Sequence, residues 1–260
     1  MSKFRNVASV KRKASDSVVE LELRMGAIVD GRFVAGVSRK VFEQLEREME
    51  DSSLEADENS MEIVDYFYPH GRDGDGCART RVTYDVDSMD MKREHIIKES
   101  TESIVVSSGR EEDHERKEDS DRCMCRIAVA EEKPLTNPPG SAVTTHVRIK
   151  QRRCFRDVRN GNVVWNYELS KTWAGMSRSA VEHLQQHTVP MYEVEVELVD
   201  ATGEYLKTHE DAYVAESILC KANAVLGFDP QHELYICAQR GNTNSESDAR
   251  TENRIRKRRR

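Results

Sequence analysis

Two segments far apart in the chain share one pattern. VVELELRM (18–25) sets Glu20, Glu22 and Arg24 at alternate positions, with Val19, Leu21, Leu23 and Met25 on the other face. MYEVEVEL (191–198) sets Glu193, Glu195 and Glu197 against Val194, Val196 and Leu198 in the same way. A period of two is the mark of an extended strand whose two faces meet different surroundings. Side chains on one face of a strand stand roughly 7 Å apart. Three carboxylates in such a line repel one another unless cations or water lie among them, and glutamate is a poor strand residue in any case. A third segment has the opposite sign. In HVRIKQR (146–152), Arg148, Lys150 and Arg152 share a face, with Val147 and Ile149 behind them. ARTRVTYD (78–85) groups Arg79, Arg81, Thr83 and Asp85, and CRIAVAEE (125–132) groups Arg126 with Glu132.

Two arrangements accommodate these faces. In a β-sandwich they would lie outside, in water, but solvated faces usually mix signs. Here one strand is all carboxylate and another all Arg and Lys. Sorting by sign suits charged faces turned inward around a hydrophilic channel, with the apolar faces packed outward. A barrel of about eight strands has room inside for one small ligand.

The rest of the chain is consistent with a mainly β fold. Strand-like runs are 18–25, 62–68, 78–85, 92–99, 103–107, 123–132, 145–155, 162–170 and 191–199. Turn signals separate them at GRDGDG (71–76), NPPG (137–140), RNGN (159–162) and DATG (200–203). Sequential strands joined by turns favour an antiparallel sheet or barrel. Three helices flank it. Ser38 caps one that carries Val41, Phe42, Leu45 and Met49, and Ser177 caps one that turns Ala180, Val181 and Leu184 inward. DAYVAESILCKANAVLGF (211–228) forms the third, with Val214, Ile218 and Val225 inward. Residues 109–122 read as a solvated loop. The domain division is a flexible basic lead-in at 1–17, a catalytic domain at 18–240 and a disordered basic tail at 241–260.

Composition narrows the partners. With 260 residues, 33% charged and 37% hydrophobic, the chain suits one large domain whose centre is not a wide apolar interior. The net charge of -7 hides an acidic stretch at 42–62 and basic ones at 146–159 and 254–260. An acidic average therefore leaves room for an anionic partner. Six cysteines without a CxxC pair indicate neither a disulfide framework nor a zinc site, and point to a reducing compartment. No apolar run reaches membrane-spanning length, so no membrane partner is expected.

Clustered carboxylates suit a hard divalent cation, Mg²⁺ or Mn²⁺. A row of Arg and Lys matches several phosphate oxygens at once. Together they describe a site for a metal-bound polyphosphate. In ordered pieces, the sequence then resembles the yeast-type RNA 5′-triphosphatases of mRNA capping, within the triphosphate tunnel metalloenzymes, and its short length is similar to that of protozoan members such as the kinetoplastid ones. ELELRMG (20–26) resembles the family's first glutamate strand, and YEVEVEL (192–198) its last. Between them RVTYD (81–85), MKREHI (91–96), RIAVAEEKPL (126–135), VRIKQRRCF (147–155) and YELSKT (167–172) resemble its intervening strands in order. Glu168 and Ser170 stand where the family pattern has Asp and Thr.

The resemblance implies an α+β, mainly β fold: a closed antiparallel eight-stranded barrel with flanking helices. It implies Glu20, Glu22 and Glu197 as metal ligands, and Arg81, Lys92, Arg148, Lys150 and Arg152 as phosphate-binding residues, with Arg79 and Arg93 as alternatives to Arg81 and Lys92. Glu132, Glu193 and Glu195 would line the channel and, with Arg152, form the catalytic set. The implied reaction is removal of the γ-phosphate from 5′-triphosphate RNA, with nucleoside triphosphates as possible further substrates. The chain has no GxxxxGK[ST], no cysteine with the spacing to Arg of cysteine phosphatases, and no Lys-x-Asp-Gly, so a capping guanylyltransferase is expected on a separate chain. A monomer or weak homodimer is expected. RIRKRRR (254–260) points to the nucleus, with the cytoplasm as alternative. The competing readings are an inorganic or nucleoside triphosphatase of the same fold, a non-catalytic polyanion-binding module, and a scaffold that meets a basic partner through 42–62. Histidines, including His183 and His187, are read as surface residues, and Trp165 and Trp173 as core.

Overall fold

A computed structural model describes residues 18–57, 60–70, 76–85, 90–108, 123–135, 143–159, 161–199, 204–226 and 234–237. The lead-in at 1–17, the loop at 109–122, the tail at 241–260 and the turns at 71–75, 137–140 and 200–203 lie outside the described residues.

The first described strand is β1 (Val18–Val29), which turns back through Asp30 and Gly31 into β2 (Arg32–Ala35). Both turn residues have positive φ, 50° and 73°, as a two-residue hairpin matched to strand twist requires. Helix α1 (Arg39–Glu50) follows, its first turn capped by the Ser38 hydroxyl, which accepts from the Val41 amide at 3.3 Å. Next come β3 (Glu55–Ala56), β4 (Met61–His70), β5 (Gly76–Asp85), β6 (Met91–Ser108), β7 (Met124–Pro134), β8 (His146–Arg159) and β9 (Asn162–Gly175). Helix α2 (Arg178–His187), capped by Ser177, leads to β10 (Met191–Leu198). Helices α3 (Glu204–Thr208) and α4 (Asp211–Leu226) and strand β11 (Leu234–Cys237) are the last elements among the described residues.

Strands pair in the order β10-β9-β8-β4-β5-β6-β7-β1, and β1 pairs again with β10. The result is a closed antiparallel barrel of eight strands, mainly β with flanking helices. β2, β3 and β11 are attached outside the closed ring. The β8–β9 hairpin turns at Gly161, φ 76°, where the Asn-Gly pair anticipates it.

The apolar faces point out of the barrel, and the helices cover them. Leu21, Leu23 and Met25 of β1 pack with Ile127, Trp165, Leu169, Val194 and Val196, beneath Phe42, Leu45 and Met49 of α1 and Val214, Ile218 and Val225 of α4. Each fully buried side chain of this kind contributes about 1.5–3 kcal/mol. A smaller cluster, Val64, Val147, Ile149, Trp173 and Val181, lies under α2. The hydrophobic core is thus a jacket around the barrel, and the polar face of every barrel strand is left to line its interior.

Several expectations change. Segments 92–99 and 103–107 are one strand, β6, kinked by a register shift between Ser100 and Glu102. The bulge breaks the alternation that sequence reading relies on, so one strand reads as two. β2, β3, β11 and α3 lack a strong enough periodic signal to be seen in advance. Ala180 is exposed, and only Val181 and Leu184 of α2 face the smaller cluster.

Candidate active site

Registers carry the sorted faces to one interior. Glu22 pairs with Glu197 and Arg24 with Glu195 across β1–β10. Glu195 pairs with Glu168 and Glu193 with Ser170 across β10–β9. Arg152 pairs with Ser170 and Lys150 with Thr172 across β9–β8. Asp65 of β4 stands between Arg148 of β8 and Arg81 of β5. Glu132 of β7 faces Lys98 of β6.

The side chains form a continuous ion-pair network. Lys150, 2% exposed, gives its ammonium to Glu193 at 2.8 Å and Glu195 at 3.4 Å. Arg152 bonds Glu168 at 2.6 Å, donates to the Ser170 hydroxyl at 3.3 Å and approaches Glu195 at 3.6 Å. Thr172 donates to Glu193 at 3.0 Å, and Arg148 lies 3.7 Å from the same carboxylate. Arg81 grips Asp65 with two hydrogen bonds, 2.8 and 3.2 Å. Arg79 bonds Glu132 at 2.9 Å. Lys98 lies between Glu20 and Glu22, contacting Glu22 at 2.9 Å, and Arg24 bonds Glu22 at the same distance. Desolvation on this scale is tolerated because nearly every charge has a partner of opposite sign.

Electrostatics separate the glutamates. Burial pushes the Glu195 carboxyl up, but Lys150, Arg24 and Arg152 outweigh it and hold Glu195 well below the usual range. Glu22 is likewise lowered, by Arg24 and Lys98 against its burial. Glu197 moves the other way: burial and the neighbouring Glu168 and Glu20 raise it well above the usual range. Glu20 is raised by burial, with Glu22 and Glu132 adding to the shift against Lys98. Among the described residues no ion pair reaches Glu197. The end of the barrel holding Glu20 and Glu197 therefore carries a surplus of carboxylate that a cation would relieve.

Glu20, Glu22 and Glu197 supply oxygen donors from two adjacent strands, the chemistry a hard divalent ion needs. Among the described residues no three such groups converge closely enough to grip an ion as they stand. The geometry gives the reason: the Lys98 ammonium sits between Glu20 and Glu22 and plays the part of a counter-ion. The donor set fits a divalent ion once Lys98 and the carboxylates rearrange.

Of the expected site residues, the interior brings together Glu20, Glu22, Glu132, Glu193, Glu195, Glu197, Arg81, Arg148, Lys150 and Arg152. It does not include Lys92. That side chain is 71% exposed and pairs with Glu94 at 2.7 Å. Arg93, its alternative, is exposed as well. Arg79 and Arg81 both line the interior, so the choice between them dissolves. Sequence reading missed Asp65 and Lys98. Asp65 had a signal, an acid within the apolar run EIVDYFY, where strands disfavour Asp. Lys98 has the same strand parity as Lys92, and only the pairing with Glu132 shows which of the two is inside.

No family model matches the chain, and no curated protein matches it in sequence. Solved structures do match. The S. pombe Pct1 RNA triphosphatase superposes with a TM-score of 0.57 at 16% identity, covering 86% of this chain and 89% of that one. The same enzyme in complex with the Spt5 CTD gives 0.58 at 16% identity, over 86% and 90%. The mimivirus capping enzyme triphosphatase, in its monoclinic form, gives 0.50 at 14% identity, over 86% and 97%. The chain has the tunnel fold of these proteins over most of its length.

Proposed function

We propose that the protein is a metal-dependent RNA 5′-triphosphatase that hydrolyses the γ-phosphate of triphosphate-ended RNA to a diphosphate end, the first step of mRNA capping. One observation carries the reading: a closed barrel buries Lys150 and Arg152, with half-buried Arg81 beside them, across from glutamates of β1 and β10, so that cations for phosphate and oxygens for a metal share one enclosed space. The fold held in common with capping triphosphatases is consistent with it.

The chemistry follows from the placement. Lys150, Arg152 and Arg81 are fixed cations in a poorly hydrated interior, where they stabilise charge building on the phosphate oxygens as the bond to the β-phosphate breaks. Arg148, at the edge of this set, holds the β-phosphate side. Glu20, Glu22 and Glu197 would hold the divalent ion, Mg²⁺ or Mn²⁺, which when bound supplies Lewis-acid polarisation of the γ-phosphate. Glu193 and Glu195 keep Lys150 and Arg152 in position. Glu195 is a weak proton acceptor because three cations stabilise its ionised form. Glu132, tied to Arg79, is then the carboxylate that orients the attacking water. Water oxygen bonds to phosphorus, the bond to the bridging oxygen breaks, and orthophosphate and diphosphate-ended RNA leave.

A separate guanylyltransferase completes this assignment, since the chain lacks Lys-x-Asp-Gly. RIRKRRR supports a nuclear site of action. A monomer or weak homodimer is part of the same reading. Among the described residues no helix is long and apolar enough to cross a membrane.

The test is γ-phosphate release from triphosphate-ended RNA with Mg²⁺, with Mn²⁺ and with chelator, for wild type and Glu197→Ala. Metal-dependent release that drops by two orders of magnitude or more in the variant is the expected result. Absence of release from RNA, nucleoside triphosphate and inorganic triphosphate in folded protein would leave a polyanion-binding module.

A further inference from the structure

The two ends of the barrel differ in chemistry. Adjacent strands run antiparallel all the way round. The end of β1, the end of β4 and the starts of β7 and β8 therefore lie at one mouth. Arg24, Arg126 and Arg148 are there, with Glu193 as a carboxylate among them. The starts of β1 and β9 and the ends of β7 and β10 lie at the other mouth, with Glu20, Glu168, Glu132 and Glu197, where Arg152 bonds Glu168 and Arg79 bonds Glu132.

Among the described residues, aromatic rings accompany the interior arginines at the first mouth. The Arg126 guanidinium lies over the Phe33 ring of β2, 5.2 Å from its centroid. Arg148 lies 5.5 Å from the centroid of Phe67. Phe67 and His146, the last register pair of β4 and β8, stack with ring centroids 4.1 Å apart and planes within 7°. The Nε–H groups of Arg126 and Arg148 are buried and find no acceptor among the described residues. Buried donors left unmet are uncommon and here line an opening. Burial and the nearby Arg148 cation lower the His146 pKa, so its imidazole is neutral at neutral pH and presents a π-face with no charge of its own.

A channel that reads only phosphate needs cations and no flat rings at its rim. Nucleic-acid sites that bind single strands without regard to sequence combine cations with aromatic faces, because every base has a π-face. Resting on the triphosphatase reading above, we infer that the arginine-rich mouth admits the substrate γ-phosphate first and that the first nucleobase stacks on the His146–Phe67 pair. The enzyme is thereby selective for triphosphates that carry a nucleotide over inorganic triphosphate. Arg148 on Phe67 keeps the β-phosphate beside that stack, and Arg126 on Phe33 meets the backbone phosphates that follow.

The experiment measures kcat/KM for triphosphate-ended RNA, a purine nucleoside triphosphate and inorganic triphosphate, for wild type, His146→Ala and His146→Tyr. His146→Ala is expected to lower the RNA-to-inorganic ratio about tenfold, with a parallel fall for the nucleoside triphosphate, the size of one lost base–aromatic stack. His146→Tyr restores the ratio because it restores the ring. Hydrolysis of inorganic triphosphate by the Ala variant reports that the barrel is folded. An unchanged ratio in His146→Ala, or a fall that Tyr fails to restore, overturns this inference and leaves the triphosphatase assignment standing. No hydrolysis of any of the three by wild type overturns both.

Discussion

Asp65→Asn isolates a residue that touches no phosphate in the proposed mechanism yet decides where two arginines point. Asp65 is 1% exposed and receives both hydrogen bonds of the Arg81 fork. Arg79 lies at 4.0 Å. Asparagine keeps the shape and one acceptor oxygen but removes the charge. Stranding one member of a buried ion pair costs about 3–5 kcal/mol. The Arg81 side chain retains 19% exposure and one hydrogen bond, which discounts the loss below that range, to about 2–3 kcal/mol. For a chain of this size that is a fall in Tm of about 4–12 °C. A guanidinium displaced by about 1 Å lowers kcat by about 100-fold, while KM changes less because the remaining cations still bind the ground state. The double variant Asp65→Asn with Arg81→Met discriminates. It removes the stranded charge, so Tm recovers part of the loss, and activity does not recover. The effect has a pH signature. Burial raises the Asp65 pKa, but Arg81 and Arg79 outweigh it and lower it below the ordinary 3.8. A depressed carboxyl stabilises the fold above the unfolded value, and that contribution is lost as pH falls through the folded one. The Tm gap between wild type and Asp65→Asn should be constant from about pH 7 to 5 and close at strongly acid pH. Unchanged Tm and rate in the single variant, or a double variant less stable than the single, would refute the reasoning.

Lys98→Met should lower triphosphatase kcat/KM by about 100-fold or more, because it removes the interior ammonium that passes to phosphate when Glu20 and Glu22 take a divalent ion, whereas Lys92→Met should fall within about threefold of wild type in the same assay. Gly26→Ala would set a Cβ 2.2 Å from the Val34 carbonyl oxygen and 2.7 Å from the Phe33 ring, so it should separate β2 from β1 at a cost of about 1–3 kcal/mol, read as a lower Tm.

Much of this architecture was legible because strand parity is binary. Once Glu20 and Glu22, or Arg148, Lys150 and Arg152, are assigned to one face, the opposite residues must be core, and Leu21, Leu23, Val147 and Ile149 are buried accordingly. Ser38 and Ser177 were readable as caps because a hydroxyl before an apolar periodic run satisfies an otherwise open amide. Parity cannot tell how far along a strand the barrel interior extends. Lys92 and Lys98 share a face, and the interior holds only the second. Asp65 was missed for a related reason: sorting by sign draws attention to rows of charge, and a lone acid between Val64 and Tyr66 forms no row. β2 and β3, at four and two residues, are too short for periodicity to register.

The network raises a question of energetics that leads to a last prediction. The interior lysines are already engaged: Lys150 is held by Glu193 and Glu195, and Lys98 by Glu20 and Glu22. A divalent ion entering alone must displace the Lys98 ammonium, which is left in a low-dielectric space without an anion. Triphosphate entering alone must draw Lys150 and Arg152 from their glutamates, leaving carboxylates unpaired. Entering together, each neutralises what the other exposes: phosphate receives the freed ammonium, and the ion receives the freed carboxylates. Binding of the two should therefore be coupled, by about 1–3 kcal/mol if the exchange follows ordinary linkage between sites. In a thermal-shift series with Mg²⁺, with a non-hydrolysable triphosphate analogue and with both, the joint rise in Tm should exceed the sum of the separate rises. Glu197→Ala should abolish the excess while leaving the shift from the analogue alone. Strict additivity in wild type would mean that metal and phosphate do not share this interior, and that the carboxylates of β1 and β10 serve only to hold the arginines and lysines in place.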